Sequence, residues 1–197
     1  MPSFSLVPFP DPPGSPGAAP VPVRYAVEGA VERAPRELRA TFRVGAPPGS
    51  LVLPARAPAP TRRDGLWQST CLELFVGIPG APGYLEVNLA PSGDWNVYRF
   101  TGYREGMTPL DPATLRAWEA PEAPRGPGEA LAIELSLSLP EPWAGAPALE
   151  LAVCAVLEGT GGKKTYWALT HRGERPDFHR RDAFVLHLDG DPGRQGP

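Results

Sequence analysis

Residues 83–100 read GYLEVNLAPSGDWNVYRF. Leu85, Val87 and Leu89 fall at every second position, with Tyr84, Glu86 and Asn88 between them. Side chains of a strand alternate between faces. One face of this strand is therefore apolar, and the other is aromatic, acidic and amide-bearing. A solvated face more commonly carries Lys, Thr or Ser. The turn residues of PSGD then close the strand, and WNVYRF continues the pattern.

The same period of two recurs along the chain. RELRATFRV places Leu38, Ala40, Phe42 and Val44 on one face. TCLELFV sets Leu72, Leu74 and Val76 against Cys71, Glu73 and Phe75. LAIELSLSL (131–139) alternates throughout, as does LELAVCAVLE (149–158). VRYAVEGAVER sets Val23, Tyr25, Val27 and Val31 on one face, and TYWAL and AFVLHL add two more strands. Turn-forming runs such as GAPPGS, GIPGAPG and GTGGKK lie between them. Only 110–118, LDPATLRAW, is given a short helix. Strands at this spacing without βαβ alternation predict an all-β fold, an antiparallel β-sandwich of about ten strands.

Composition agrees. The 197 residues include 28 Pro and 22 Gly, against roughly 5% Pro in an average chain. Proline removes a donor and clashes inside helices. An apolar fraction of 42% supports a core, and a net charge of −3 without a basic run excludes a backbone-tracking nucleic-acid binder. No stretch approaches the ~20 apolar residues of a membrane span. No Lys or Arg precedes Arg24, and Pro8 and Pro10 interrupt the first apolar run; the expectation is a cytoplasmic protein without a secretory signal. Cys71 and Cys154 form no CxxC and read as small buried thiols. The domain is expected over 21–189, with residues 1–20 as an extended or flexible lead-in and 190–197 as a flexible tail.

Two hairpins follow from adjacency. Pairing TCLELFV with YLEVNLA, apolar face to apolar face, places Glu73 opposite Glu86, Phe75 opposite Tyr84 and Cys71 opposite Asn88. Two carboxyls so placed repel unless an Arg, a metal or a shared proton intervenes. Pairing 131–139 with 149–158 adds Glu134 and Glu150 to an outer face. The plain alternative is a solvated face whose acids pair with Arg99 or Arg104.

Three segments together carry a family resemblance: DGLWQSTCLELFV, then GYLEVNLAPSGDWNVYRFTGYREGM, then TYWALTHRGERPDFHRRDAF. In this order they resemble the DOMON-like proteins related to family 9 carbohydrate-binding modules. The resemblance spans roughly residues 62 to 188. It implies a β-sandwich with immunoglobulin-like layers and a ligand, sugar or haem in the wider group, on or beside one sheet.

The ligand-binding residues expected on this basis are Trp67, Glu73, Tyr84, Glu86, Asn88, Arg104, Trp167 and His179. Trp67 is read as a stacking platform for an apolar sugar face, with strand-edge core as its plain role. Trp167 reads more readily as core. Arg104 serves to neutralise Glu73 or Glu86, or to donate to a ligand. No metal is expected, since a site wants three or four convergent ligands, and no cofactor. Met107 with His171 or His179 is the only haem-ligand pairing on offer. No G-x-S-x-G, P-loop or dinucleotide fingerprint occurs. The expected function is non-catalytic binding of a carbohydrate or similar small polar ligand. The alternatives are a glycosidase using Glu73 and Glu86, a haem-binding DOMON domain and a protein-interaction domain.

Overall fold

The computed structural model describes residues 2–10, 25–111, 115–119 and 128–190. Among them lie thirteen strands: β1 (Ser3–Ser5), β2 (Val7–Pro8), β3 (Ala26–Ala34), β4 (Glu37–Gly45), β5 (Cys71–Gly77), β6 (Tyr84–Leu89), β7 (Trp95–Phe100), β8 (Thr108–Pro109), β9 (Leu115–Glu119), β10 (Glu129–Ser138), β11 (Ala148–Glu158), β12 (Lys164–Ala168) and β13 (Leu186–Asp189). They form two antiparallel sheets. The first runs β1-β3-β4-β10-β9 and the second β2-β12-β11-β5-β6-β7-β8, with β13 paired to β11. The excess over ten strands comes from short pairings such as β2 and β8.

Alternation decides which side chains meet between the layers. Val27, Phe42, Val44, Ile133 and Leu137 from the first sheet face Leu72, Leu74, Leu85, Val87, Leu151 and Val153 from the second in one core. Burying such side chains contributes roughly 1.5–3 kcal/mol each relative to exposure.

Four expectations change. The first concerns 131–139 and 149–158, which do not form a hairpin. β10 pairs with β4 and β9, while β11 pairs with β5, β12 and β13. The connection between β10 and β11 crosses from one sheet to the other. Trp143 in it is buried, packs in the core and donates its indole N–H to the Val76 carbonyl at 3.0 Å. An apolar stripe needs a buried surface opposite it, and two strands of one sequence region satisfy this across the core as well as side by side. The second concerns 110–118, whose described residues from Leu115 form strand β9, not a helix. The third is the lead-in. Phe4 and Leu6 are buried in the core, and residues 3–8 bridge both sheets through β1 and β2, so the domain begins well before residue 21. Val23 and the tail beyond Gly190 lie outside the described residues.

The fourth is the β5–β6 register. Leu74 faces Val87, Glu73 faces Asn88, Phe75 faces Glu86 and Gly77 faces Tyr84. The ladder is displaced by one cross-strand pair from that expected. A shift of two residues keeps every side chain on its face, so hydrophobic matching cannot distinguish the two registers. Glu73 and Glu86 share a face, but as diagonal neighbours.

Trp143→Ala should cost about 3–5 kcal/mol of stability, since it empties the crossing point between sheets and strips the Val76 carbonyl of its donor. Urea unfolding of the two proteins measures it; a loss under about 1 kcal/mol would mean that this indole does not tie the layers.

Candidate functional site

The outer face of the second sheet is covered as well. β5 and β6 are buried at every position. A second apolar cluster on this face contains Phe75, Tyr84, Tyr98, Phe100, Ala152, Cys154, Ala168 and Phe184. Its cover is the segment 169–185, which leaves β12, folds over the sheet and returns as β13 along the same edge of β11.

Arg181 fastens this cover. Its guanidinium occupies the space that a side chain on Gly77 would fill: a Cβ there would lie 1.6 Å from Nη1. Nη2 donates to the carbonyls of Ile78 and Ala81 at 3.0 and 3.2 Å and to the Glu150 carboxylate. The guanidinium also lies over the Phe184 ring, 4.6 Å from its centroid.

A second anchor lies at the other end of the cover. Tyr84 stacks on Phe100, with ring centroids 4.8 Å apart. Its hydroxyl sits 2.8 Å from His179 Nδ1 and accepts the Arg104 backbone N–H at 3.2 Å. With the phenol as donor to Nδ1, the oxygen keeps a lone pair for the Arg104 N–H and the imidazole proton is assigned to Nε2. Arg104 has φ of 55°, a left-handed conformation uncommon for a long side chain. That backbone aims its N–H at Tyr84, while its guanidinium donates to Asp177 at 2.9 Å. Tyr103 donates to the other Asp177 oxygen at 2.6 Å.

A third segment, 61–68, is held by the PSGD turn. Asp94 accepts from the Thr61 N–H at 3.0 Å and pairs with Arg63 at 3.2 Å. Asp64 accepts from the Tyr98 hydroxyl at 2.6 Å and from Asn96 at 2.9 Å. These contacts lead the chain into the short 3-10 turn Leu66–Gln68, which sets Trp67 edge-on to Tyr98.

Between these segments lies a pocket of about 390 Å³, with Glu73, Glu86, Val156, Phe100 and Tyr166 from the strands. Trp67, Arg104, Met107, Pro176, Phe178 and His179 complete its lining. Trp67 and Met107 are 39% and 52% exposed and form an apolar rim.

The two acids differ. Glu86 accepts from Asn88 Nδ2 at 2.7 Å. Glu73 is 3% exposed, and its Oε1 has no hydrogen-bond partner among the described residues. Burial, reinforced by the neighbouring Glu86, pushes the Glu73 carboxyl well above the usual range, against a smaller opposing effect of Arg104. Burial raises Glu86 too, while the Asn88 hydrogen bond pulls it back. Burial, with a contribution from Arg104, lowers His179 to about 4. His179 Nε2 lies 3.9 Å from Glu86 Oε2, but the imidazole is neutral near pH 7, so this contact is not an ion pair there. Burial raises Tyr84 to about 12, so its phenol stays a donor. Burial alone would raise Asp177; its bonds from Tyr103 and Arg104 outweigh this and hold it below the ordinary value.

Of the residues expected from sequence, Trp67, Glu73, Glu86, Arg104 and His179 meet at this pocket. Tyr84 and Asn88 stand behind them as supports of His179 and Glu86. Trp167 does not join them. It pairs with Ala155 on the opposite face, is buried in the interlayer core and donates to Thr165. Among the described residues neither acid is bonded to an Arg or a Tyr, and Arg104 pairs with Asp177 instead of a glutamate. His171 lies elsewhere, against Phe9 and the Val7 carbonyl. Sequence reasoning missed Phe100, Tyr166 and Phe178, each at an unremarkable strand or loop position. Among the described residues no group of three or more His, Cys, Asp or Glu side chains could hold a metal ion. None of their helices is long and apolar enough to cross a membrane.

The fold has known counterparts. A candidate carbohydrate-binding protein from Bacteroides uniformis superposes with a TM-score of 0.61 at 17% identity, over 96% of this chain and 86% of that one. A family 9 carbohydrate-binding module from Caldicellulosiruptor kristjanssonii, solved with glucose, gives a TM-score of 0.50 at 11% identity, over 88% of this chain and 82% of that one. At such identities the likeness is one of fold, and it is the sandwich that the motif resemblance implied. No protein-family model and no curated protein matches the sequence.

Glu73 links stability to pH. A carboxyl whose folded pKa is raised stabilises the fold fully below its unfolded value, near 4.5, and that contribution is lost as pH rises toward the folded value. Glu73→Gln should therefore raise the melting temperature at pH 7 and leave it nearly unchanged at pH 4. Equal effects at both pH values would show that Glu73 is not held protonated by burial.

Proposed function

We propose that the protein binds a carbohydrate in this pocket without transforming it. The observation that carries the reading is Glu73. A buried carboxyl with an unpartnered oxygen costs about 1–3 kcal/mol or more, and here it lines a pocket open to a ligand. A sugar hydroxyl would satisfy that oxygen.

The surroundings suit a sugar. Trp67 offers a flat apolar surface at the rim. Glu86, His179 Nε2–H and the remaining guanidinium donors of Arg104 offer polar partners along the walls. A volume of about 390 Å³ suits one or two ring units. The Caldicellulosiruptor module of similar fold was solved with glucose, which supports the same ligand class here.

Non-catalytic binding is favoured over glycoside hydrolysis by the placement of the acids. A glycosidase sets two carboxyls on either side of the scissile bond. Glu73 and Glu86 stand side by side on one sheet face, on adjacent strands, so a sugar would meet both from the same direction.

Affinity should fall between micromolar and millimolar, roughly −8 to −4 kcal/mol. Titration with mono- and disaccharides, followed by tryptophan fluorescence and calorimetry, tests this. Trp67→Ala should weaken binding by about tenfold or more and remove most of the fluorescence change. A variant that binds as tightly as the parent would take the ligand away from this rim, and turnover of any glycoside would overturn the non-catalytic reading.

A further inference from the structure

We propose that the ligand selected by this pocket carries an ammonium group, specifically that it is an amino sugar whose cation sits against the Glu73 carboxyl. The proposal rests on the carbohydrate reading above and narrows it to a charge class.

With both glutamates ionised, the charges around the pocket do not balance. Among the described residues, the charged side chains lining it are Glu73, Glu86 and Arg104, with Asp177 beside Arg104. Arg104 and Asp177 neutralise each other at 2.9 Å, with Tyr103 completing the Asp177 contacts. His179 is neutral. Among the described residues no cation is in contact with either glutamate carboxyl. Glu86 has a neutral donor in Asn88, and Glu73 Oε1 has none among the described residues. The other titratable groups facing Glu73 bring no positive charge: Cys71 and Cys154 are buried thiols with raised pKa, on β5 and β11. From β7, Tyr98 donates to Asp64. From β12, Tyr166 presents a ring.

An ammonium answers each part of this arrangement. It carries three donors and a full charge to an acceptor that lacks both. Trp67, Phe100, Tyr166 and Phe178 line the same space, and aromatic faces attract cations. Arg104 opposes a cation here, as it does at His179, and its pairing with Asp177 at 2.9 Å offsets part of that repulsion. A ligand carboxylate would meet two acids, and the guanidinium of Arg104 already pairs with Asp177.

Binding has a proton signature. Burial and the neighbouring Glu86 favour the neutral form of Glu73 in the empty site. Seating the ammonium draws the proton off: the carboxylic acid and the ammonium become a carboxylate–ammonium pair, and one proton passes to the buffer. A neutral sugar leaves that proton in place.

The experiment is calorimetry with D-glucosamine, D-glucose, N-acetyl-D-glucosamine and tetramethylammonium. It is run at mildly acidic pH, where the amine is protonated, in two buffers of different ionisation enthalpy. Glucosamine is expected to bind at least tenfold more tightly than glucose or N-acetylglucosamine, with a buffer-dependent enthalpy that reports proton release. Glu73→Gln should bring the glucosamine-to-glucose ratio toward one and abolish the proton release. Glucose binding as well as glucosamine would overturn the ammonium proposal and leave the carbohydrate reading standing. Tetramethylammonium binding with no sugar bound would retain the ammonium site and overturn the carbohydrate reading. No binding by any of the four would overturn both.

Discussion

The guanidinium of Arg181 lies where residue 77 has no side chain, and the outer face of the second sheet is closed around that contact. Gly77 leaves the gap, the carbonyls of Ile78 and Ala81 accept from the guanidinium, and Glu150 on β11 supplies the counter-charge. With Arg181 seated, Phe184 is pressed onto Phe75 and Tyr84, and the segment from Leu169 to Val185 is held over the strands. A sheet that would otherwise face water becomes one buried on both sides. Carboxyls pointing outward from β5 and β6 thereby pass into a poorly solvated space, and their altered acidity follows from that.

The cover is polar as well as apolar, and its polar contacts divide the labour. Tyr84 fixes the ring of His179, Asn88 fixes Glu86, and Asp177 fixes Arg104. His179, Glu86 and Arg104 are thus oriented by neighbours before any ligand arrives, and Glu73 Oε1 has no such partner among the described residues. Such pre-orientation reduces the entropy that binding must overcome. The PSGD turn belongs to the same system. Its Asp94 holds the chain at Thr61 and Arg63, and Asp64 and Trp67 follow within one short stretch. The motif is therefore a clamp for the pocket rim, and Trp95 beside it packs inward under Arg62.

The alternating pattern of LEVNL and LELFV was sufficient to read an all-β sandwich and to place Glu73, Glu86 and Asn88 on the face away from the main core. Period-two alternation is a local property of the backbone, so it survives in any fold that buries one side of the strand. Of the five expected residues that meet at the pocket, Glu73 and Glu86 do so for that reason, while Trp67, Arg104 and His179 arrive from a short turn, a loop and the cover. The same property explains the register error. Parity fixes the face and nothing more, and a shift of two residues preserves parity.

Sequence by itself therefore determined the strands, their inner and outer faces, and which residue types the outer face of β5 and β6 would present. Tertiary structure alone decided that β10 and β11 lie in opposite sheets, that Phe4 and Leu6 join the core, and that Trp167 points away from the site. It also decided that the outer face is roofed, so that Glu73 is left dry and without a partner on Oε1 while Arg104 turns to Asp177. These outcomes depend on contacts between residues far apart in the chain: Gly77 with Arg181, Tyr84 with His179, and Trp143 with Val76. No local periodicity encodes such contacts, because the free energy that selects them arises only when the distant segments are brought together and water is excluded between them.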